Sequence, residues 1–534
     1  MARAGVRTVF GVVGSGNFHL TNALTAGGAR FIAARHEGGA AVMADAYARV
    51  TTEVGVLSVH QGPGLTNALT GIAEAAKSRT PLLVLAPTVT SRRSNFYLEV
   101  PALAAAVGAT LVRVESAATA AADLAHAYHT AAGDRRTVIL SLPLEVQDEA
   151  ATPFTLPTAP HRTSEPAPDA VSAVADALQA ARRPVFLAGR GARGAKAELE
   201  QLAERVGALL ATSAVARGLF GDSAFNLDVS GGFATPAAVD LIQHADLVVG
   251  WGCSLNMWTL RHGTLVSDGA TVVQVDADPD ALGAYHRVHL GVVGDTARTA
   301  QAVLQELDRR GAGPMTGYRG RAVAARLARE GRWRDVPYHE WAEDGRIDPR
   351  TLSIALDGLL PANRTIAVDS GNFMGYPTMF LGAPDAEGFV FTQAFQAVGL
   401  GLATAIGAAI ARPDRLTVAA LGDGGALMGI ADLETAVRLG LDLLVVVYDD
   451  EAYGAEVHHF RPGGHPLDHV TFPPADIAHV AAGFGCAAVT VRQAGDLAAV
   501  AEWVAGPRRR PLVVDAKVSR GEPSWWLAEA FRSH

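Results

Sequence analysis

Short apolar runs alternate with alanine-rich stretches of helical length along most of the chain. Within the runs, valine, leucine and isoleucine occupy neighbouring positions, which is the pattern of strands buried on both faces of a parallel sheet. The runs form three groups, which cover 8–13, 54–59, 81–86 and 137–142, then 184–189, 247–252 and 271–276, and finally 365–371, 416–424, 443–450 and 511–518. The pattern predicts an α/β protein with three doubly wound parallel-sheet domains.

Two polar stretches separate these groups and are predicted to be linkers. Residues 149–167 are rich in proline and threonine, and residues 311–347 combine glycine and proline with many arginines. The simplest interpretation of the arginine run is a helix face in contact with solvent. The predicted domains are therefore residues 1–150, 165–310 and 345–534.

Composition excludes several classes of protein. The 534 residues carry a net charge of −9, which is not the electrostatic footprint of a nucleic-acid-binding protein. The two cysteines, Cys253 and Cys486, argue against a disulfide framework or a cysteine metal site. No apolar run approaches the roughly 18 residues of a membrane span, and the first residues lack the apolar core of a signal peptide. We therefore expect a cytoplasmic protein without a nucleic-acid or membrane partner.

Four acids crowd around the end of one apolar run, which reads VVVYDDEAYGAE at 445–456. These acids are Asp449, Asp450, Glu451 and Glu456. Carboxylates at the end of a buried strand repel one another and lose hydration, unless a cation or an exposed site accepts them. The stretch therefore predicts a cation site or a polar pocket at this strand end.

A glycine-rich turn with a single acid, ALGDGGALMG, follows the preceding apolar run. Gly422, Gly424 and Gly425 would let the backbone turn tightly and approach a phosphate group at the start of the next helix. Asp423, in the middle of the turn, supplies a hard oxygen ligand of the kind that Mg²⁺ prefers. An ordinary strand–turn–helix connection would have the same sequence features, so the turn alone does not decide the matter.

The spacing of Asp423 and Asp450 strengthens the prediction of a metal site. Asp450 follows Asp423 after 27 residues, which is the length of one helix and one strand. Both acids then lie at the carboxyl ends of parallel strands, where open α/β sheets bind their ligands. Two hard ligands beside a diphosphate predict a Mg²⁺ site.

These residues resemble the thiamine diphosphate motif of the pyruvate decarboxylase and acetolactate synthase superfamily. The shared features are Gly-Asp-Gly, the 27-residue interval to a polar pair, and the Tyr-Gly turn that follows. The resemblance covers nearly the whole chain and implies pyrimidine-binding, middle and diphosphate-binding domains in that order. It implies Mg²⁺ ligands at Asp423, Asp450 and the Ala452 carbonyl. The diphosphate-binding domain would contact the cofactor through Gly371, Asn372, Gly422, Asp423, Gly424, Gly425, Asp450, Tyr453 and Gly454.

The chain departs from the superfamily at the polar pair, where Asp449 and Asp450 replace the usual Asn-Asn. An ionised Asp450 would add a negative charge beside the diphosphate. We expect this charge to weaken cofactor retention without metal or to tighten the metal requirement, unless a nearby arginine offsets it.

Glu37 is the predicted partner of the cofactor's pyrimidine ring. It lies between a short strand and an alanine-rich helix, in AARHEGGAAVMADAYAR, where a lone acid would ordinarily compensate the helix dipole. The segment resembles the family's Arg-His-Glu signature, which implies that Glu37 hydrogen-bonds N1′ of the aminopyrimidine and activates the cofactor. Residues 59–69, VHQGPGLTNAL, resemble the neighbouring Gly-Pro-Gly-x-Thr-Asn loop, and they imply a cofactor contact by Asn67.

Two further residues point to the substrate. His60 stands where acetolactate synthases have a small residue and benzoylformate decarboxylase-like enzymes have a catalytic histidine, and it could move protons near neutral pH. A hydrogen-bonded structural histidine is the alternative. Ser15, in VVGSGNFH, aligns with a serine that binds the substrate carboxylate in the benzoylformate decarboxylase group.

The resemblance also assigns roles in the C-terminal domain. Residues 395–409 resemble the segment that wedges the cofactor into a bent shape, with Val398 as the wedge and Gln396 at the pyrimidine through its backbone. The same stretch would suit a buried helix. Glu456 stands where aldehyde-releasing decarboxylases carry a glutamate that donates a proton, although an acid in contact with solvent on a helix would look the same.

FAD is not expected in the middle domain. A glycine-rich turn at 188–195 could accept an anion, and acetolactate synthases bind FAD in this domain. They also carry an acidic–basic stretch where this chain reads GWGCSLNMWTLRHG, at 250–263, without that core.

The resemblance implies an enzyme, a transferase or lyase, that uses thiamine diphosphate and Mg²⁺ on a 2-oxo acid or a related carbonyl substrate. We expect decarboxylation followed by carboligation to a second carbonyl, as in acetolactate synthases. Release of the aldehyde, as in benzoylformate decarboxylase, and cleavage of a diketone are alternatives within enzymes. A non-catalytic binding subunit is the alternative outside them. Because the family binds its cofactor between subunits, a homodimer or homotetramer is implied.

Overall fold

A computed structural model describes residue 1 and residues 5–150, 164–341 and 343–530. They form three six-stranded sheets, in which neighbouring strands run parallel. The predicted α/β class with three doubly wound sheets is confirmed. Most of the predicted linker at 149–167 lies outside the described residues, and the predicted domain boundaries stay predictions.

The N-terminal sheet has the strand order β2-β1-β3-β4-β6-β5. Its strands are β1 (Thr8–Gly11), β2 (Arg30–Ala33), β3 (Gly55–Ser58), β4 (Leu82–Thr88), β5 (Thr110–Arg113) and β6 (Thr137–Pro143). The helices are α1 (Phe18–Ala26), α2 (Glu37–Thr51), α3 (Pro63–Lys77), α4 (Val100–Ala106), α5 (Ala120–Gly133) and α6 (Leu144–Gln147).

The middle sheet has the order β12-β11-β10-β7-β8-β9. Its strands are β7 (Pro184–Ala188), β8 (Leu209–Thr212), β9 (Asn226–Val229), β10 (Leu247–Trp251), β11 (Thr271–Asp276) and β12 (Leu290–Val293). The helices are α7 (Pro168–Ala180), α8 (Lys196–Val206), α9 (Pro236–Gln243), α10 (Met257–Leu260) and α11 (Thr296–Arg309), followed by α12 (Arg321–Glu330) in the predicted second linker.

The C-terminal sheet has the order β14-β13-β15-β16-β18-β17. Its strands are β13 (Arg364–Val368), β14 (Phe389–Phe391), β15 (Leu416–Gly422), β16 (Leu443–Asp449), β17 (Ala487–Val491) and β18 (Leu512–Lys517). The helices are α13 (Pro349–Leu359), α14 (Gly375–Phe380), α15 (Gly401–Ala411), α16 (Asp423–Gly429), α17 (Leu433–Arg438), α18 (Gly454–Phe460), α19 (Ile477–Gly483), α20 (Ala498–Ala505) and α21 (Trp525–Ala530).

The N-terminal and C-terminal sheets share one continuous hydrophobic core, which runs between α2 and α15. Residues 40–50 of α2 are all buried, as are residues 401–409 of α15, because alanine and glycine dominate both helices. The two backbones approach so closely that a Cβ atom on Gly407 would lie 2.3 Å from the carbonyl oxygen of Met43. Small side chains therefore fix the distance between the two sheets.

Each of the predicted apolar runs contains a strand, so the central strands of the three sheets are confirmed. Among the residues that the structure describes, no helix is both long and apolar enough to cross a membrane.

Candidate functional site

Asp423 and Asp450 meet at the carboxyl ends of two neighbouring strands. Strand β15 pairs with β16 in a register that aligns Gly422 with Tyr448, so Asp423 follows one residue later and Asp450 two residues later at the same edge. Each of the two acids is only 8% exposed, and their carboxyl groups lie close enough for each to alter the pKa of the other. The structure therefore brings together the two acids that the 27-residue spacing predicts to be close.

Burial and neighbouring carboxylates raise the pKa of both acids. Burial is the largest cause of the raised pKa of Asp423, followed by the charges of Asp450 and Asp449. Burial is also the main cause of the raised pKa of Asp450, with Asp449 next. A pair that holds its protons this strongly releases them when a divalent cation supplies compensating charge.

Asp449, which the sequence leaves unexplained, turns away from the pair and contacts Lys517 at the end of β18. The Lys517 ammonium group donates to Asp449 and lies 3.1 Å from a carboxylate oxygen of Asp515. All three side chains are buried. Burial alone would lower the pKa of Lys517, but the two carboxylates outweigh it and raise the pKa. Lys517 is thus the counter-ion that allows an Asp-Asp pair at this strand end.

Glu451 also has a cationic environment. The Arg346 guanidinium lies 2.5 Å from Glu451, and Arg520 lies 2.6 Å from the same carboxylate. Arg346 donates another hydrogen bond, 3.2 Å long, to the backbone carbonyl of Asp449, and its charge lowers the pKa of Asp450. It is the nearby arginine that could partly offset the extra negative charge.

The turn after Asp450 closes tightly over the acids. A Cβ atom on Gly454 would lie 2.2 Å from the Asp450 carboxylate and 3.2 Å from Asn372. The ring of Tyr453 would lie 2.7 Å from a Cβ atom on Gly424, so the two predicted cofactor-binding loops touch. These loops are close together because β13, β15 and β16 are neighbours in the sheet.

In the segment formed by residues 394–400, the side chains of residues 394, 395, 396 and 398 are exposed. Gln396 is exposed and has a φ of 62°, a conformation that side chains rarely adopt. Val398 is 43% exposed, and Phe395 is 45% exposed. Buried Asp369 holds the end of the segment, because its carboxylate accepts the backbone N–H groups of residues 399 and 400. Gln396 and Val398 are thus available to a ligand.

A second polar cluster lies at the carboxyl edge of the N-terminal sheet. Glu37 is half-buried at the start of α2 and accepts a 3.0 Å hydrogen bond from the Asn67 amide on α3. Gly64 separates Glu37 from His60, since its Cβ atom would lie 3.2 Å from the glutamate and 3.1 Å from Cβ of the histidine. The predicted pyrimidine-binding residues and His60 therefore share one site.

His60 lies beneath the loop that carries Ser15. The backbone N–H of Gly16 points at Nδ1 of His60 over 3.4 Å, which assigns the ring proton to Nε2. Phe96 packs edge-on against the imidazole, with ring centroids 5.5 Å apart. Ser15 itself is exposed. The loop after β1 and the loop after β3 thus meet, as the predicted substrate site requires.

Glu456 is placed differently from the buried acids. It is exposed in the first turn of α18. Neighbouring His458 is half-buried, and burial lowers its pKa. The predicted proton donor therefore has the surroundings of an acid in contact with solvent.

The residues present fit a divalent cation and a diphosphate. Asp423 and Asp450 supply two buried oxygen ligands, and the Ala452 carbonyl follows on the same loop. Gly422 has no side chain with which to cap α16, so the first-turn N–H groups lack the usual side-chain cap. Within the described ranges, no three His, Cys, Asp or Glu side chains form a metal site. Two carboxylates would therefore bind a metal together with backbone and non-protein oxygens.

The glycine-rich turn after β7 is filled by the protein itself. A Cβ atom on Gly189 would lie 2.2 Å from the carbonyl of Gly252, and the backbones touch. Arg190 donates to the carbonyl of Ser78, and Arg193 donates to that of Arg49 over 2.8 Å. These arginines join the middle sheet to the N-terminal sheet, while the absence of FAD stays a prediction.

Sequence reasoning missed Lys517, Arg346, Arg520 and Asp369. Lys517 carried a signal, since a lysine and an aspartate interrupt the apolar run PLVVDAKV at 511–518. The others lie in different elements from the acids or N–H groups that they contact, and the sequence gives no spacing that would connect them.

Three family models match successive parts of the chain. They are described as thiamine pyrophosphate enzyme, N-terminal TPP binding domain, at residues 1–99; central domain, at residues 171–307; and C-terminal TPP binding domain, at residues 369–516. The first contains Glu37 and His60, and the third contains both acids of the buried pair.

Curated relatives resemble the chain over most of its length. A catabolic acetolactate synthase of Raoultella terrigena is 29% identical over 510 residues, covering 92% of this chain and 88% of its own. A probable 2-ketoarginine decarboxylase of Pseudomonas aeruginosa is 29% identical over 512 residues, covering 93% and 88%. A sulfoacetaldehyde acetyltransferase of Alcaligenes xylosoxydans xylosoxydans is 28% identical over 497 residues, covering 85% and 80%.

Proposed function

The chain belongs to the thiamine pyrophosphate-dependent enzymes, and from this premise we propose that it decarboxylates a 2-oxo acid and joins the resulting aldehyde unit to a second carbonyl compound. The observation that carries the proposal is the meeting of Asp423 and Asp450 at adjacent strand ends, together with the Glu37–Asn67 pair at the edge of the N-terminal sheet.

Mg²⁺ would be held by Asp423, Asp450 and the carbonyl of Ala452. The backbone of Gly424 and Gly425 would donate hydrogen bonds to the diphosphate. The remaining contacts to the cofactor would come from Gly371, Asn372, Gly422, Tyr453 and Gly454 around the acids, and from Gln396 and Val398 in the exposed segment.

Thiamine diphosphate, when bound, supplies the nucleophilic carbon and the electron sink that decarboxylation of a 2-oxo acid needs. Glu37 would hold a proton at the pyrimidine ring, and Asn67 keeps its carboxylate in place through the 3.0 Å hydrogen bond. Ser15 would bind the substrate carboxylate with its hydroxyl group. His60 would move protons at Nε2, since Nδ1 accepts from Gly16.

Carboligation is supported over simple aldehyde release by the surroundings of Glu456. A carboxyl group that protonates a carbon centre works best where water is excluded. Glu456 instead faces solvent in the first turn of α18. An acetolactate synthase and an acetyltransferase among the relatives are consistent with transfer to a second substrate.

Aldehyde release is the second candidate, and His60 is the observation that favours it. The imidazole is fixed by Gly16 on one side and by Phe96 on the other, within 3.4 Å and 5.5 Å respectively. A histidine held in this way can deliver a proton to a product. A relative named as a decarboxylase has the same level of identity.

The test is turnover of a panel of 2-oxo acids by the purified protein with thiamine diphosphate and Mg²⁺. CO₂ release and product masses are followed together. A hydroxyketone or acetohydroxy acid with CO₂ supports the proposal, and free aldehyde with CO₂ supports the second candidate. No CO₂ from any acid contradicts both and directs the search to diketones.

Two variants separate chemistry from a general loss of folding. Glu37→Gln should slow CO₂ release by about 100-fold to 1,000-fold while the protein stays folded. Glu115→Gln replaces an exposed acid of the same sheet, 67% exposed, and should leave turnover unchanged. Equal losses in both variants would contradict a catalytic role for Glu37.

We further propose a cytoplasmic homodimer or homotetramer. Its support is the apolar surface around both sites, which includes Phe18, Phe96, Phe395, Leu427 and Met428. A second copy would cover this surface and exclude water from the chemistry. Sedimentation equilibrium that gives a monomer in the presence of cofactor and Mg²⁺ would contradict the oligomer.

A further inference from the structure

Glu74 is a buried acid of α3 that contacts the C-terminal part of the chain. Its side chain is 0% exposed. One carboxylate oxygen accepts the backbone N–H of Ala394 over 3.0 Å, and the other accepts that of Phe395 over 2.6 Å. These donors stand immediately before Gln396 and Val398, the residues proposed to meet the pyrimidine ring.

The same carboxylate is neutralised by an arginine of the N-terminal sheet. Arg49 on α2 lies 2.7 Å from Glu74 and 2.8 Å from Asp45, and both acids are buried. Arg49 also donates to Ser78 over 2.8 Å. Arg49 thus compensates the buried carboxylate, and hydrogen bonds from backbone N–H groups to a carboxylate are stronger than those to a neutral acceptor.

The segment from 394 to 400 is thus anchored at both ends. Glu74 holds the beginning, and Asp369 holds the end through the N–H groups of residues 399 and 400. Between the anchors, Gln396 has a φ of 62°. A non-glycine residue keeps such a conformation only where its surroundings enforce it, and such residues cluster at ligand sites.

Helix α3 connects this anchor to the predicted catalytic glutamate. Asn67, which bonds Glu37, precedes Glu74 by seven residues, so the two side chains lie on the same face about 10 Å apart. One turn after Glu74, the ammonium group of Lys77 lies 5.4 Å from the centre of the Phe395 ring. One rigid helix therefore contacts both Glu37 and the exposed segment.

We propose that Glu74 is a positioning residue for thiamine diphosphate: by holding the N–H groups of Ala394 and Phe395, it sets the conformation in which Gln396 and Val398 receive the pyrimidine ring. The inference rests on the proposed function, since it takes these two residues to contact the cofactor. Glu74 itself touches neither cofactor nor substrate.

The test compares Glu74→Gln with Asp45→Asn. Both substitutions remove a carboxylate from Arg49, but only the first replaces one of the two acceptor oxygens of the N–H groups by an NH2 group, which cannot accept. We expect both to lower the melting temperature. Only Glu74→Gln should speed amide hydrogen exchange across 394–398 in the cofactor-free protein and weaken thiamine diphosphate binding about tenfold, measured with saturating Mg²⁺.

A gentler variant covers the case in which Glu74→Gln does not fold. Glu74→Asp keeps a carboxylate beside Arg49 but draws it back by one methylene from the N–H groups of Ala394 and Phe395. It should speed exchange across 394–398 and weaken cofactor binding by about threefold.

Two results would overturn the inference. One is hydrogen exchange across 394–398 that stays as slow in Glu74→Gln, or in Glu74→Asp where the first variant does not fold, as in the parent protein. The other is faster exchange with unchanged cofactor affinity. Failure of the proposed function would look different, because the unsubstituted protein would then bind thiamine diphosphate without turning over any 2-oxo acid.

Discussion

The two polar sites lie at the carboxyl edges of similar sheets, yet they surround their acids in opposite ways. In the C-terminal site, Asp423 and Asp450 are buried side by side and have raised pKa values. In the N-terminal site, Glu37 is half-buried and accepts a hydrogen bond from the neutral amide of Asn67. The first site holds two buried carboxyl groups close together, and the second holds a single carboxylate that is partly exposed to solvent.

This difference indicates what would complete each site. Two buried carboxyls can ionise together only when a cation reduces their repulsion. Glu37 needs no such compensation, but it needs a dry environment before it can share a proton with a weak base. A cation would therefore complete the C-terminal site, and exclusion of water around Glu37 would complete the N-terminal site.

The largest expected effect comes from breaking the support that both sites share. Gly407→Val would drive a side chain into the backbone of α2 near Met43 and push the two helices apart. We expect a loss of about 3 kcal/mol or more in the free energy of unfolding, with weaker cofactor binding at both sites. Chemical denaturation checks it. Gly358→Ala, in an open position on α13, is the control and should be neutral or slightly stabilising.

Removing the single acid of the N-terminal site sharpens the comparison. Glu37→Gln should lower kcat by about 100-fold to 1,000-fold, because proton transfer is lost, while thiamine diphosphate affinity changes little. Asp423→Asn should mainly weaken binding of metal and cofactor. Kinetics and calorimetric titration of both variants check this. Equal losses of cofactor affinity in the two variants would contradict the division of roles.

Relieving the crowding in the C-terminal site should make it less dependent on metal. Asp450→Asn removes one carboxylate beside Asp423, so thiamine diphosphate should bind better without Mg²⁺. We expect the ratio of affinities with and without Mg²⁺ to fall about tenfold, the effect of about 1.4 kcal/mol. Asp468→Asn, at an exposed position, is the control. An unchanged ratio in Asp450→Asn would show that this acid does not set the metal requirement.

The smallest expected effect is on the pH dependence of the metal-free protein. The pKa values of Asp423 and Asp450 are raised in the folded state, so the folded state binds more protons than the unfolded state above pH 4. Stability from these protons is present at low pH and is lost as pH rises through the raised pKa values. The melting temperature should therefore fall by about 2 °C more in the parent protein than in Asp450→Asn between pH 5 and pH 8. Added Mg²⁺ should remove the difference.

Apolar runs predicted the central strands because those strands are buried on both faces. The edge strands β5, β9, β12, β14 and β17 were not predicted, and neither was the interior strand β8. Edge strands mix buried and partly exposed residues, as the burial of β17 shows, so they lack a continuous apolar run. Strand β8 is fully buried but only four residues long. The short length of β8 and the partial exposure of the edge strands therefore limited the prediction of strands from apolar runs.

Spacing along the chain predicted Asp423 beside Asp450, because one crossover brings successive strand ends to one edge of a sheet. It could not predict the contact between Glu74 and the N–H groups of residues 394 and 395, which are 320 and 321 residues away. Such contacts depend on how α2 packs on α15, and a buried acid in an alanine-rich helix gives no sign of its distant partner.

Because α2 packs closely against α15, substitutions in these two distant parts of the chain depend on each other. A larger residue in either helix requires a smaller one in the other, so the N-terminal and C-terminal sheets are expected to diverge in step. The middle sheet is built around two other cores, and it meets α2 and α3 through Arg190 and Arg193, which bind backbone carbonyls. Every residue has a backbone carbonyl, so substitutions at the residues that accept hydrogen bonds from the two arginines leave these contacts in place. Lineages can therefore remodel the contact between the middle sheet and the N-terminal sheet without retuning α2 and α3. The contact with the C-terminal sheet is more constrained, because Val229 and Phe233 pack into the core of that sheet.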